Sequence, residues 1–111
     1  MVYDEELARR IRELLRGEPA LTEQRMFGGL AFLIAGNMAV AASGHGGLLV
    51  RVDPDQSDML VASTGAQPME MRGRPMRGWL RVTREGLGTP DALRWWVSIG
   101  REYARALPAK G

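Results

Sequence analysis

Apolar residues recur with helical spacing at both ends of the chain. The first set defines one face of a predicted helix over residues 3–16: Tyr3, Leu7, Ile11 and Leu14 or Leu15. Acids in the first turn and Gly17 after the last turn match the dipole and the C-terminal cap of such a helix. The second set predicts the buried stripe of a last helix, which Thr89 caps and Pro90 begins: Ala92, Trp96, Ile99, Tyr103 and Leu107.

Between these helices, short apolar runs alternate with turn residues. Residues 29–43 predict two strands around a turn at Gly36 and Asn37, and residues 48–53 predict a third strand after the sequence GHGG. These three strands form a predicted antiparallel meander.

A second, short helix is predicted after the meander. Asp53 and Pro54 have the residue types of an N-cap and a first helical position, and the helix is expected to end near Ala62. Met59 and Leu60 are expected on its buried side.

Two further strands are predicted at residues 68–72 and 78–82, with a connection over residues 73–77. Because Pro75 has no N–H to donate to a strand ladder, we expect this connection at a sheet edge or in a loop. The element order is then α-β-β-β-α-β-β-α. This order predicts an α+β fold of two layers, an antiparallel sheet with helices mostly on one face, as a single domain over residues 1–111.

The alternation in the meander places apolar residues on both faces of the sheet. One set is predicted to face the helices: Leu30, Phe32, Ile34, Met38, Val40, Leu48 and Val50. The other set faces away from them: Ala31, Leu33, Ala39, Ala41 and Leu49. Since an uncovered antiparallel face is normally polar, we expect this second face to be covered by the last helix or by a second copy of the chain. A homodimer is therefore predicted.

Composition limits the compartment and the chemistry. The chain has 111 residues and no cysteine, so disulfides, thiol nucleophiles and thiolate zinc sites are excluded. The start MVYDEELARR lacks the features of a secretion signal, and six glycines break the uncharged stretch 26–50 into strand-sized pieces. We expect a cytoplasmic protein that does not enter a membrane. The net charge of +2, with 15 basic and 13 acidic residues, indicates local basic patches at most.

An arginine-rich segment is the first candidate site: Arg72, Arg74, Arg77, Arg81 and Arg84. No acid lies between Glu70 and Glu85, and Trp79 offers a stacking plane beside these cations. Three interpretations stay open. The arginines protect a strand edge while Trp79 packs in the core, or they contact a partner protein, or they bind nucleic-acid phosphates.

The glycine pair in Met26-Phe27-Gly28-Gly29 raises the question of a phosphate loop. It leads into a strand and lacks the lysine of a nucleotide loop, so these four residues are interpreted as a structural motif, a bulge or a close approach to the first helix. His45 is the only histidine, and its sequence neighbours supply no orienting group for catalysis. No cofactor, metal site or catalytic residue is predicted.

The adjacent Trp95 and Trp96 point in directions about 100 degrees apart on a helix. Trp96 continues the apolar stripe, which leaves Trp95 at its margin. We therefore predict that Trp95 forms an adaptable contact surface with Met69, Met71 or Met76.

Three stretches occur in a characteristic order: Arg25-Met26-Phe27-Gly28-Gly29, then a hairpin followed by LLVRVD, then MRGRPM with a tryptophan. In this order they resemble the TfoX/Sxy N-terminal domain family over roughly residues 7–107. The resemblance implies a two-layer fold like that of secretion chaperones. The name-giving members regulate competence beside the cyclic-AMP receptor protein and carry a second, C-terminal domain, which we do not expect within these 111 residues.

The sequence as a whole predicts a non-enzymatic, regulatory protein-interaction module that acts through a protein partner. The first alternative is a nucleic-acid-binding protein that uses the segment from Arg72 to Arg84. The second is a small-molecule binder or enzyme with a pocket near His45.

Overall fold

A computed structural model describes residues 3–26 and 28–109, without the side chain of Met71. Three helices are present: α1 (Glu5–Leu14), α2 (Ser57–Thr64) and α3 (Pro90–Ala106). Six strands form one antiparallel sheet: β1 (Leu21–Met26), β2 (Gly29–Ile34), β3 (Asn37–Ala42), β4 (Leu48–Arg51), β5 (Gln67–Met71) and β6 (Arg74–Val82). Their order across the sheet is β1-β2-β3-β4-β6-β5. The predicted α+β class is confirmed.

The structure has one strand more than predicted before α2. Strand β1 has the sequence LTEQRM, and its four central residues are exposed, so no apolar alternation marks it. It forms because its backbone pairs with β2 along the full length of both strands. Arg12 of α1 secures it from the helix side by donating to both carboxylate oxygens of Glu23 at 2.7 and 2.8 Å. This pairing lowers the pKa of Glu23.

Of the three predicted hairpin turns, the one at GHGG is confirmed and the other two are displaced in the structure. The β2–β3 turn consists of Ala35 and Gly36, with φ of 51° and 85°, and Asn37 already belongs to β3. The β5–β6 turn consists of Arg72 and Gly73, not of the predicted connection over residues 73–77. Pro75 instead lies within β6, in the first part of the strand, which pairs with β5 but lies beyond the end of β4. The missing N–H of Pro75 therefore removes no hydrogen bond between β6 and β4.

The main core lies between the sheet and the three helices. Helix α3 crosses the sheet so closely at Gly100 that a Cβ there would lie 2.4 Å from the carbonyl oxygen of Ala39. The buried face of α3 is centred on this approach: Leu93, Trp96, Val97, Gly100 and Ala104. The predicted stripe is thus wrong by about one residue, because apart from Trp96 its members are only half-buried. On α2, Leu60 is buried as predicted but Met59 is 59% exposed.

The second face of the sheet is also buried. A separate cluster there contains Ala31, Leu33, Met38, Ala41 and Leu49, which are 0 to 8% exposed. Met38 replaces the predicted Ala39 because a register shift between β2 and β3 makes Ala39 the extra residue of a bulge. Side chains of the same chain pack against the cluster: Met26, Met69 and Trp79. The last helix does not cover this face, since α3 packs in the main core.

Candidate functional site

The candidate arginines do not form one compact patch. Strand β6 has nine residues and so extends over about 27 Å, with Arg74 and Arg77 on one half and Arg81 on the other. Arg77 donates to the backbone carbonyl of Pro54 at 3.0 Å. Arg84 lies 3.4 Å from the carboxylate of Asp4. Two acids that are distant in sequence, Asp4 and Asp55, therefore lie beside arginines of a segment that contains no acid of its own.

Trp79 is half-buried and is not an open stacking plane. Its ring packs against the apolar cluster on the second face of the sheet. The guanidinium carbon of Arg51 lies 5.0 Å from the centroid of the same ring and 5.6 Å from that of Tyr103. The chain itself thus supplies the cation and the apolar neighbours of Trp79.

The two adjacent tryptophans divide as predicted. Trp96 is 4% exposed and belongs to the main core, whereas Trp95 is 46% exposed. Their rings meet edge to face, with centroids 4.8 Å apart. The predicted contact surface of Trp95 with Met69 is wrong, because Met69 packs on the opposite face of the sheet. Met76 is half-buried, and the side chain of Met71 lies outside the described residues.

The glycine motif holds two strand ends close together. A Cβ on Gly29 would lie 2.0 Å from the carbonyl oxygen of Ala42, and one on Gly44 would lie 2.2 Å from that of Gly28. The close approach is therefore to the end of β3, which corrects the expected approach to the first helix. Met26 ends β1 and packs against the second-face cluster. Phe27 lies outside the described residues.

A groove of about 350 Å³ separates the start of α2 from α3. One wall is formed by Asp53, which precedes the 3-10 turn Pro54–Gln56, and by Gln56, which ends that turn. The other wall is one face of α3: Ser98, Ile99, Glu102, Tyr103 and Ala106. We call it the helical groove.

Two exposed apolar side chains lie about one helical turn from residues that line this groove. Trp95 lies three and four residues before Ser98 and Ile99, so it belongs to the same face of α3. Met59 follows Gln56 by three residues and so lies about one turn further along the chain from the other wall. Trp95 and Met59 are the large apolar residues that the described part of the chain exposes most. The walls therefore combine apolar surface with the carboxylates of Asp53 and Glu102.

A second groove, of about 590 Å³, lies where the β3–β4 turn meets the end of β6. We call it the histidine groove, and its polar side chains are His45, Gln67, Arg81, Thr83, Arg84 and Glu85. Gly47 permits this meeting, since a Cβ there would lie 2.3 Å from the carbonyl oxygen of Val82.

The charges in the histidine groove differ in how they are balanced. The Glu85 backbone N–H and the Thr83 hydroxyl both donate to the Glu85 carboxylate and lower its pKa. Arg84 has Asp4 beside it. Arg81 is half-buried and has no ion pair among the residues that the structure describes.

Within the described ranges 3–26 and 28–109, no three carboxylates or imidazoles lie close enough together to hold a metal ion. No helix in those ranges has the length and apolar character needed to cross a membrane.

A comparison with known protein families agrees with the three stretches that carry the resemblance. A sequence model described as the TfoX N-terminal domain matches residues 13–104. The chain belongs to the TfoX N-terminal domain family. No curated protein gives a significant match.

Membership places this TfoX N-terminal domain in a regulatory, competence-related class of module, and the family is not known for catalysis. The matched range contains both grooves except the last wall residue of the helical groove, Ala106. The helical groove was not predicted as a site, whereas a pocket near His45 was part of the second alternative. Two sequence signals point to the grooves. One is the pair of adjacent tryptophans, of which only Trp96 fits the apolar stripe, and the other is the single histidine in a glycine-rich turn.

Proposed function

We propose that this domain is a non-enzymatic protein-interaction module that acts in the cytoplasm and binds its partner in the helical groove. The observation that supports this proposal is the pair Trp95 and Met59, which lie about one helical turn from the two walls of that groove and are 46% and 59% exposed. Exposed aromatic and methionine side chains beside a groove are typical of surfaces that accept a helix.

The chemistry of the walls selects the occupant. Ile99, Tyr103 and Ala106 offer apolar surface, and the two charged residues of the lining, Asp53 and Glu102, are both acidic. A complementary ligand has an apolar stripe with lysine or arginine at its margin. We therefore propose an amphipathic, basic helix of a partner protein, with apolar residues spaced at i, i+3 or i+4, and i+7.

A displayed library of random 16-residue peptides, selected on the immobilised domain, tests this proposal. We expect enriched peptides to combine that apolar spacing with basic residues. Fluorescence anisotropy then measures the Kd of one enriched peptide for the unmodified domain and for Trp95→Ala and Glu102→Lys. Loss of a central aromatic contact is expected to weaken binding by about 10-fold or more. Glu102→Lys is expected to weaken it most at low salt.

Two matched variants control for the substitutions. Arg94→Ala removes an exposed residue of α3 outside the groove lining, and Glu13→Lys reverses an exposed charge on α1. Both are expected to leave the Kd unchanged within about two-fold. The proposal is wrong if both groove variants bind as the unmodified domain does, or if the controls weaken binding equally.

Self-association is read in the same series. Sedimentation equilibrium measures whether the unmodified domain dimerises, as the sequence predicts. If it does and Trp95→Ala is monomeric, the occupant of the helical groove is a second copy, and the partner-helix proposal fails.

A further inference from the structure

The histidine groove lies apart from the helical groove and has its own chemistry. The helical groove is bounded by α2 and α3, whereas the histidine groove is formed by the β3–β4 turn, β5 and the end of β6. Its residues come from three separate parts of the sequence, near 45, at 67 and at 81–85. We propose that the histidine groove binds the phosphate group of a small molecule, with Arg81 as the principal ligand.

The position of Arg81 is fixed by the sheet. In the strand ladder it lies between Leu49 of β4 and Gln67 of β5. Its half-buried side chain also borders a smaller adjoining cavity, of about 240 Å³, with His45 and Glu70. A guanidinium that is partly removed from water gains from a bidentate oxyanion partner, because its planar fork matches two oxygens at once.

Further donors converge on the same space. The amide of Gln67 and the imidazole of His45 line the groove beside Arg81. The turn holds His45 there, since its backbone N–H donates to the Ser43 hydroxyl at 3.1 Å. A phosphate group has enough oxygens to accept from all three side chains, whereas a carboxylate has two.

The acids around the groove do not neutralise Arg81. Glu85 is engaged by Thr83 and by its own backbone N–H. Asp4 accepts from the backbone N–H of Leu7 as the cap of α1 and lies beside Arg84. Glu70 lines the adjoining cavity, but no ion pair joins it to Arg81 within the part of the chain that is described. Among the described residues, the groove thus presents an arginine without an ion-pair partner, while Glu85 and Asp4 are already engaged by other groups.

The single histidine gives a direct readout. The His45 ring is observed by NMR on the full chain while sodium phosphate, glycerol 3-phosphate or glycerol is added at constant ionic strength and pH, with sodium chloride as the reference. We expect saturable shifts of the ring signals with both phosphates, with a Kd of about 1 mM or tighter. Glycerol and sodium chloride are expected to cause none. Tighter binding of glycerol 3-phosphate identifies an ester as the ligand, and equal binding identifies free phosphate.

Variants of β6 separate a site from general attraction of anions. Arg81→Gln is expected to weaken phosphate binding by about 10-fold or more, and Arg81→Lys, which keeps the charge and loses the fork, by less. Arg74→Gln removes an exposed charge from the same strand outside the groove and is expected to change nothing. Amide spectra confirm that each variant is folded. Shifts that fail to saturate, or that are equal in Arg81→Gln and Arg74→Gln, overturn the proposal.

Discussion

Ala35 adopts a left-handed backbone conformation, with φ of 51°, that asparagine and glycine tolerate better than alanine does. It precedes Gly36 in a two-residue hairpin turn whose favoured sequence is Asn-Gly. We expect Ala35→Asn to raise the free energy of unfolding by about 0.5 to 1 kcal/mol. Urea unfolding measures this as a higher midpoint with an unchanged slope.

The control for this prediction is Ala62→Asn. Ala62 is an exposed residue of α2, where asparagine is a poorer helix former than alanine. This variant is expected to lower the midpoint. A fall in both variants would mean that the conformation of Ala35 costs no measurable stability.

Residue-scale features were predictable where neighbours in sequence determine them. The caps are the clearest case: Asp53 accepts from the backbone N–H of Asp55 at 2.9 Å, and Thr89 from that of Ala92 at 3.1 Å. A side chain and a backbone group two or three residues apart leave a pattern that sequence analysis can detect. Ala35 leaves none, because alanine is common in every kind of element.

At the scale of elements, the packing of α3 on the sheet depends on Gly100. We expect Gly100→Ala to destabilise the protein, although alanine is the better helix former by about 1 kcal/mol. The new methyl group would lie 2.4 Å from the Ala39 carbonyl oxygen and 2.8 Å from Cγ1 of Val40, so helix and strand must separate. Such overpacking costs about 1 to 3 kcal/mol and outweighs the gain in propensity. Chemical denaturation measures the difference.

Arg94→Ala is the matched variant on the same helix. Arg94 is exposed, and a substitution there is expected to stay within about 0.5 kcal/mol. If Gly100→Ala proves as stable as the unmodified protein, the close approach of α3 to β3 is not maintained in solution.

The elements that sequence analysis missed or misplaced depend on long-range pairing. Strand β1 has apolar side chains only at its two ends, Leu21 and Met26, and its backbone pairing with β2 defines it as a strand. The bulge at Ala39 reverses the faces of Met38 and Ala39, which strict alternation cannot reveal. Gly100 was not part of the predicted stripe because a glycine adds nothing to an apolar pattern.

At the scale of the whole molecule, both candidate sites arise from tertiary contacts. The arginines were recognised in sequence, but only the fold shows that they spread along β6 and that Trp79 is covered by Arg51. The histidine groove joins a turn, an edge strand and a strand end, and local patterns carry no information on such an assembly. Sequence analysis therefore predicted the fold class and the family well, and the sites only as separate residues.

The apolar second face bears on the whole molecule as well, because it motivated the predicted homodimer. Its five core residues are 0 to 8% exposed within one chain, so a second copy is not required to remove them from water. We therefore expect the urea midpoint to be the same at two protein concentrations about 50-fold apart. A dimer coupled to folding would be stabilised by about 2.3 kcal/mol over that range through mass action, which a midpoint shift readily reveals. Sedimentation equilibrium on the same samples reports association separately, since a dimer formed through the helical groove would leave the midpoint nearly constant if each copy folds alone. A midpoint that rises with concentration would show that a second copy stabilises the fold. The second face of the sheet would then again be the predicted subunit interface.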